Sequence, residues 1–341
     1  MVQYQDIIDN NCKEATVPWW PRYAFHCTDV TNIIGILKTG RLYSRIHAER
    51  LHLMANENAS RQVINMTNVS GKSFVRFYFR PKTPTYYYNE GFKHPELRYE
   101  NDSDANIPVP VFLLFDLERL IQMNGVVFSC GPQSGSGTTI LSGVDSFSTL
   151  PFHNIYSDGF IETEKDIFYR HSEILYPNQF EIDTCLKYIV CRNEIELTTL
   201  QNLLLDEVSA LFGKYYDKMR VSGRDLFYNN GLYIDDFTAD EQTACISFSD
   251  TLAKRKYINR YLTEDRKLRP LRGRVEFKWL DGHALRDMKI IDFHVQYENG
   301  GSLVFGSFPA TDGVRMLSTK IFIEDKLMCY TRTPLNVADL V

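Results

Sequence analysis

Apolar and polar positions in the first half of the chain change places in short bursts. Residues 23–27 (Tyr-Ala-Phe-His-Cys) predict a strand. Asp29 or Thr31 then caps a helix over 32–38, whose Ile33, Ile36 and Leu37 share one face. Gly40 stands where a left-handed cap ends a helix. Residues 46–64 predict a second helix with a strongly basic outer face. Aromatic and β-branched residues at 74–79 predict a buried strand, which Pro81 and Pro84 end because neither can donate a ladder hydrogen bond. The polar stretch 88–107 predicts a loop. The apolar run 108–115 predicts a strand covered on both faces, followed by a short capped helix at 116–121 and a strand at 125–130. Residues 131–159, rich in Gly, Ser, Thr, Asn and Asp, form a long connection of the kind usually kept for function. Strands at 170–176 and 186–191 complete this half.

Leu197, Leu200, Leu203, Leu204, Val208 and Leu211 recur at helical spacing and predict an amphipathic helix over 194–219. From 231 the rhythm changes. Short alternating runs at 245–248, 274–279, 290–295, 302–308 and 320–323 are separated by turn signals such as Asp281-Gly282, Asn299-Gly300-Gly301 and Asp312-Gly313. An antiparallel, sandwich-like β-domain is expected there. The predicted organisation is an α+β domain over 1–195, a helical connector over 196–230 and a C-terminal, mostly antiparallel β-domain over 231–341.

Composition narrows the class. In 341 residues, 44% apolar and 13% aromatic content suffices for packed cores. No run of about 18 apolar residues occurs, so no membrane span is expected. The polar, acidic start over 1–11 lacks the regions of a signal peptide, so a cytoplasmic location is expected. Seven scattered cysteines without a CxxC pair indicate neither a disulfide framework nor zinc, and no metal is expected. A net charge of −5 gives no global nucleic-acid signature. Two stretches differ: 38–100 holds eleven Lys/Arg against five Glu, and 254–274 holds nine Lys/Arg against Glu264 and Asp265. Each is a footprint for phosphates or a solvated face. In the second, Tyr257, Tyr261 and Trp279 lie near the cations, as base-stacking residues do.

The glycine-rich run from Gly131 to Gly137 lacks the Gly-Lys-[Ser/Thr] ending of a phosphate loop, and GxGxxG, GxSxG and HExxH are absent. Polar residues on predicted strands remain. His26 and Thr28 are two apart and so face one side, where they can hydrogen-bond a ribose or a carboxamide, or form a satisfied half-buried pair. In Arg170-His171-Ser172-Glu173 a carboxylate precedes apolar Ile174 and Leu175; it must be paired, hydrogen-bonded or functional, because burying it alone is costly.

Three stretches, in order, resemble the DarT family of ADP-ribosyltransferase toxins, which attach ADP-ribose to a nucleobase. His26-Cys27-Thr28, with Asn32-Ile33, Ile36-Leu37 and Gly40-Arg41-Leu42, is similar to the family's opening His-x-Thr, helix and Gly-x-Leu. Phe77-Tyr78-Phe79-x-Pro81-Lys82-Thr83-Pro84 is similar to its Phe-Tyr-Phe-x-Pro-[Arg/Lys]-[Ser/Thr]-Pro, with Arg61 upstream where the family carries a site arginine. Arg170 to Leu175 resembles the segment with the catalytic glutamate. Thr85-Tyr86 departs from the usual Met-Leu, and the pattern does not account for the C-terminal half. A more distant relative, CmdT, is similar in kind and acts on mRNA.

The resemblance implies a split β-sheet with flanking helices and NAD+ as co-substrate in the cleft. It implies Glu173 and Arg61 as catalytic residues. His26, Thr28, Asn32, the Gly40 turn and Tyr78 would be at NAD+, and Arg76, Arg80, Lys82 and Arg170 at the nucleic acid. The expected acceptor is single-stranded DNA, with RNA as the close variant, in a toxin–antitoxin or phage-defence setting with a cognate antitoxin. An inactive nucleic-acid-binding module of the same fold is the competing class. A protein-directed transferase is another; Glu162-Thr163-Glu164 has the spacing of its acidic pair but lies ahead of the Arg170–Glu173 segment.

Overall fold

The computed structural model describes residues 3–67, 69–98, 105–133, 138–159, 161, 163–207, 209–223, 225–263, 266–308 and 314–335. The strands of the first part are β1 (Tyr23–Asp29), β2 (Arg41–Tyr43), β3 (Phe74–Tyr78), β4 (Pro110–Asp116), β5 (Val127–Ser129), β6 (Ile140–Leu141), β7 (Glu173–Pro177), β8 (Gln179–Glu181), β9 (Leu186–Cys191) and β10 (Met219–Val221). Among the described residues, eight of them form one sheet in the order β10-β9-β4-β1-β3-β7-β5-β6, while β2 pairs with β8. Every pairing in the large sheet is antiparallel except β9 with β10.

The sheet is split. β1 pairs with β4 along its whole length, from Tyr23↔Asp116 to Asp29↔Pro110. Against β3 it is in register at Phe25↔Tyr78 alone. Beyond that point the strands part, so the His26–Thr28 stretch of β1 and the Phe74–Arg76 stretch of β3 diverge around a cleft. The Arg76 carbonyl, which a continuous ladder would have paired with β1, accepts a hydrogen bond from His26 Nδ1 at 3.0 Å. Phe25, Phe77, Phe112, Phe115 and Phe180 pack edge to face beneath the split. The helix Val30–Thr39 begins on an Asp29 cap and ends at Gly40, whose φ of +65° a side-chain-bearing residue resists.

The single helix expected over 46–64 is two short ones, Arg45–Arg50 and Arg61–Met66. Asn32 explains the interruption. Its Oδ1 accepts from Ala55 N (2.8 Å) and Asn56 N (2.9 Å), and its Nδ2 donates to Asn56 O (2.8 Å) and Thr28 Oγ1 (3.0 Å). That side chain offers the backbone a better partner than a helical turn would. The helix expected over 194–219 comprises Glu194–Glu207 and Ser209–Tyr215, followed by a 3-10 turn at Tyr216–Lys218.

The C-terminal strands are β11 (Ile234–Ala239), β12 (Ala244–Phe248), β13 (Leu271–Asp281), β14 (Ala284–Val295), β15 (Gly301–Phe305), β16 (Met316–Ile323) and β17 (Lys326–Pro334). They form antiparallel sheets β11-β12-β15 and β14-β13-β16-β17, so the fold is α+β with a C-terminal antiparallel part. Trp279 and Tyr257 do not face solvent with the neighbouring cations; at 1% and 0% exposure they are core residues. Alternation along β13 puts Trp279 on the inner face with Val275 and Phe277. Phe92 and Leu97, in the charged stretch expected to be loop, belong to this second core.

Candidate active site

The cleft, about 280 Å³, is lined by His26, Thr28 and Asn32 on one side and by Arg76, Tyr78 and Glu173 on the other. Glu173 opens β7, opposite Tyr78 on β3 and Ser129 on β5. It is 2% exposed. Its Oε1 lies 3.6 Å from Arg76 Nη1, and its Oε2 accepts from Gln133 N at 3.3 Å. Burial raises its pKa above the usual glutamate value, while Arg76, the Gln133 N–H and the Tyr78 hydroxyl hold it down. Burial and the adjacent carboxylate push the Tyr78 phenol well up, so it keeps its proton.

His26 is held neutral by burial. Because a carbonyl can only accept, the proton sits on Nδ1, facing Arg76 O. Nε2 is therefore an acceptor on the cleft side. The Thr28 hydroxyl accepts from Asn32 Nδ2 and from Asn58 Nδ2, at 3.0 and 2.5 Å, which leaves its own proton to donate. Asn32 lines the cleft, but all four of its hydrogen-bonding positions hold the 55–58 segment and Thr28. Arg45 and Glu57 form a two-pronged ion pair (2.8 and 3.0 Å) that fixes the same segment at the rim. Gly40 itself does not line the cleft; its neighbours Thr39 and Arg41 do.

The guanidinium beside the carboxylate is Arg76, placed by sequence on the nucleic acid. Arg61, placed by sequence beside the reaction, is the first residue of Arg61–Met66 and lies on its exposed side, whereas Val63 and Ile64 reach the cleft. The remaining cations of the set meet elsewhere. Arg80, 1% exposed, donates to Ile155 O (3.2 Å) and Ser157 O and pairs with Asp158 Oδ1 (3.1 Å). Burial lowers its pKa to about 10. Lys82 reaches the same Asp158 at 3.2 Å, and Arg170 donates to Ser157 Oγ (3.1 and 3.3 Å) and Gly159 O (3.0 Å). These three anchor the 155–159 segment from inside, the donors just named facing protein oxygens.

Two contributors escaped the sequence reading. Gln133 supplies a backbone N–H, which composition cannot reveal, and His171 lines the cleft with Nε2 3.0 Å from Thr85 Oγ1. Arg76 did leave a signal, because Arg76 and Tyr78 are two apart on a strand and share a face, as His26 and Thr28 do. Thr163, between the two acidic residues of the Glu-x-Glu spacing, caps the helix Glu164–Tyr169; Glu162 lies outside the described residues, as do Ser134–Gly137 of the glycine-rich run.

Comparison with known proteins decides the family. The model described as "ssDNA thymidine ADP-ribosyltransferase, DarT" matches residues 25–216, more than half of the chain. The chain belongs to the DarT family. It is accordingly an NAD+-dependent ADP-ribosyltransferase acting on single-stranded DNA. Solved DarT structures are similar to it at low identity. Thermus sp. 2.9 DarT in complex with ADP-ribosylated ssDNA shares 14% identity at a TM-score of 0.47, covering 61% of this chain and 97% of that one. The same protein in complex with NAD+ shares 13% at 0.45, over 61% and 98%. Thermosipho africanus DarTG in complex with ADP-ribose shares 13% at 0.45, over 64% and 53%. No curated protein matches the chain. Residues 217–341 lie beyond the DarT match. Among the described residues no helix is long and apolar enough to cross a membrane, and no cluster of His, Cys, Asp and Glu has the makings of a metal site.

Proposed function

We propose that NAD+ occupies the split of the sheet and that Glu173 drives transfer of its ADP-ribosyl group to a thymine in single-stranded DNA. The observation that carries this is a carboxylate, 2% exposed, on the floor of a cleft whose other wall presents a neutral imidazole and a hydroxyl. Breaking the bond from ribose C1′ to nicotinamide leaves positive charge on the sugar, which a preorganised carboxylate stabilises. The base nitrogen forms the new bond to C1′, and its proton passes to Glu173; nicotinamide leaves with the bonding pair. His26 Nε2 and the Thr28 hydroxyl bind the ribose and carboxamide, and Tyr78 walls the nicotinamide. Arg76 holds Glu173 ionised and in place. Arg61 meets a phosphate at the rim. The connection that starts at Gly131 reads the acceptor, which its Gln133 contact with Glu173 favours. Arg80, Lys82 and Arg170 act on the acceptor through the segment they anchor.

The transferase unit comprises 1–195, joined through 196–230 to a C-terminal unit over 231–341; the first hydrophobic cluster runs on through Leu200, Leu204 and Phe227 of the connector, and the second takes in Phe92 and Leu97. The protein is a cytoplasmic toxin, silenced by a cognate antitoxin until needed, for example in phage defence. Labelled NAD+ offered with separate pools of single-stranded DNA, duplex DNA, RNA and protein tests the reading. Label confined to single-stranded DNA, on thymidine, is expected; label on RNA or protein alone would contradict it.

A further inference from the structure

Beside the cleft lies a second and larger cavity, a groove of about 960 Å³ between the helices Pro84–Asn89 and Leu252–Tyr261. The two spaces adjoin across a shared wall: Val63, Thr85 and His171 line both. In that wall Thr85 Oγ1 and His171 Nε2 lie 3.0 Å apart, His171 being two residues from Glu173 in the chain. The far wall belongs to the C-terminal half, beyond the DarT match. We infer that this groove receives the stretch of single-stranded DNA flanking the base held at Glu173, with phosphates on Lys256 and Arg260 and bases against Tyr87 and Tyr88. The inference rests on the transferase reading above and extends it to the C-terminal part.

Three observations favour that occupant. A base inserted at Glu173 stays attached to its strand, which must leave the cleft, and the groove lies just across the wall that the two spaces share. Lys256 and Arg260 are four apart on one helix and so lie on one face; both are exposed and both line the groove. Among the described residues Lys256 has no hydrogen-bond or ion-pair partner, whereas Arg255, on another face, is committed to Asp250 at 3.0 Å. Tyrosine rings line the same groove: Tyr87 lies edge-on to Tyr88 at 5.5 Å and packs against Tyr228 and Tyr257, a fixed aromatic wall for sequence-tolerant contact with bases. Of the acidic residues in the groove, Asp158 is neutralised by Arg80 and Lys82, which leaves Glu164 on the opposite wall as the counter-charge.

The test uses the full chain with saturating NAD+ and oligothymidylate acceptors of 4 and 20 nucleotides, comparing wild type with the Lys256→Gln/Arg260→Gln double variant. The double variant is expected to raise KM for the 20-mer roughly ten-fold with little change in kcat, and to lower the slope of log KM against log salt by about 1.4, two contacts at ~0.7 each. The loss should shrink for the 4-mer, which is too short to follow the groove. Both side chains are exposed, so the thermal midpoint should hold; the single variants, each with about half the slope change, guard against misfolding. Equal KM and salt slope in wild type and double variant overturn the inference, as does a loss as large for the 4-mer as for the 20-mer. Wild-type protein that modifies neither oligomer while still consuming NAD+ would instead contradict the acceptor assignment, and the groove with it.

Discussion

Glu173 sits among groups that pull its proton affinity in opposite directions, and burial wins. A carboxyl whose pKa lies above its ordinary value is protonated, and useless as a base, to a higher pH than an exposed glutamate. The rate of transfer should therefore fall as pH drops through that raised value and level off above it. The same shift means that the folded protein holds this proton more tightly than the unfolded chain does. Its contribution to stability accordingly declines as pH rises from the usual glutamate range through the raised value. Arg76→Gln removes a cation that holds the pKa down, so the acid limb of the pH–rate profile should move to higher pH. A limb that stays put would detach Arg76 from Glu173. Of these residues, strand alternation and a carboxylate in an apolar run singled out His26, Thr28 and Glu173 only weakly, and it was the resemblance that joined them into one expected site. The neighbourhood of Arg76 was not legible in the sequence, since it depends on β3 pairing with β7 nearly a hundred residues later.

At the scale of elements, the cations that sequence grouped as a nucleic-acid surface divide by where their donors go. Arg80, Lys82 and Arg170 converge on Ser157, Asp158 and Gly159 and tie the start of the Glu173 approach to the strand exit at Pro81. Arg80→Leu should cost roughly 3 kcal/mol, as removing one partner of a buried pair does, read as a lower thermal midpoint. It should leave the salt slope of DNA binding as it was; a reduced slope with an intact midpoint would return Arg80 to the phosphates. Local pattern located β1, β3, β4, β7 and β9 but not β11 or β17, and it missed the break after Arg50, because the competing partner of that backbone is Asn32, on another helix. A period can be read from a sequence; a hydrogen bond that returns to Asn32 past a helix, a strand and a second helix cannot.

At the scale of the molecule, the two halves join where the charged stretch expected to be loop turns inward. Glu90, Lys93 and His94 are fully buried. Glu90 pairs with Arg192 at 3.3 Å and accepts from Asn229 N at 2.7 Å, while Lys93 Nζ donates to Asn230 at 2.6 Å and lies over the Tyr257 ring. Phe92 and Leu232 exchange backbone hydrogen bonds at 2.8 and 2.9 Å, and beside them Gly231 faces the Glu90 carbonyl so closely that an added Cβ would lie 2.4 Å from it. Gly231→Ala should destabilise the protein by roughly 1–3 kcal/mol through overpacking, measured by denaturant unfolding. A neutral result would mean that the junction is looser than these contacts require. Composition suggested a polar exterior here because it cannot tell a solvated charge from one whose partner waits 100 residues away.

The most direct test of the account is mass spectrometry of nucleosides recovered from single-stranded DNA after incubation with NAD+ and either wild-type protein or Glu173→Gln. Thymidine carrying one added ADP-ribose is expected from the wild type, with a yield lower by about 10²–10⁴-fold from the variant at equal NAD+ and DNA. Equal yields from both proteins would contradict it.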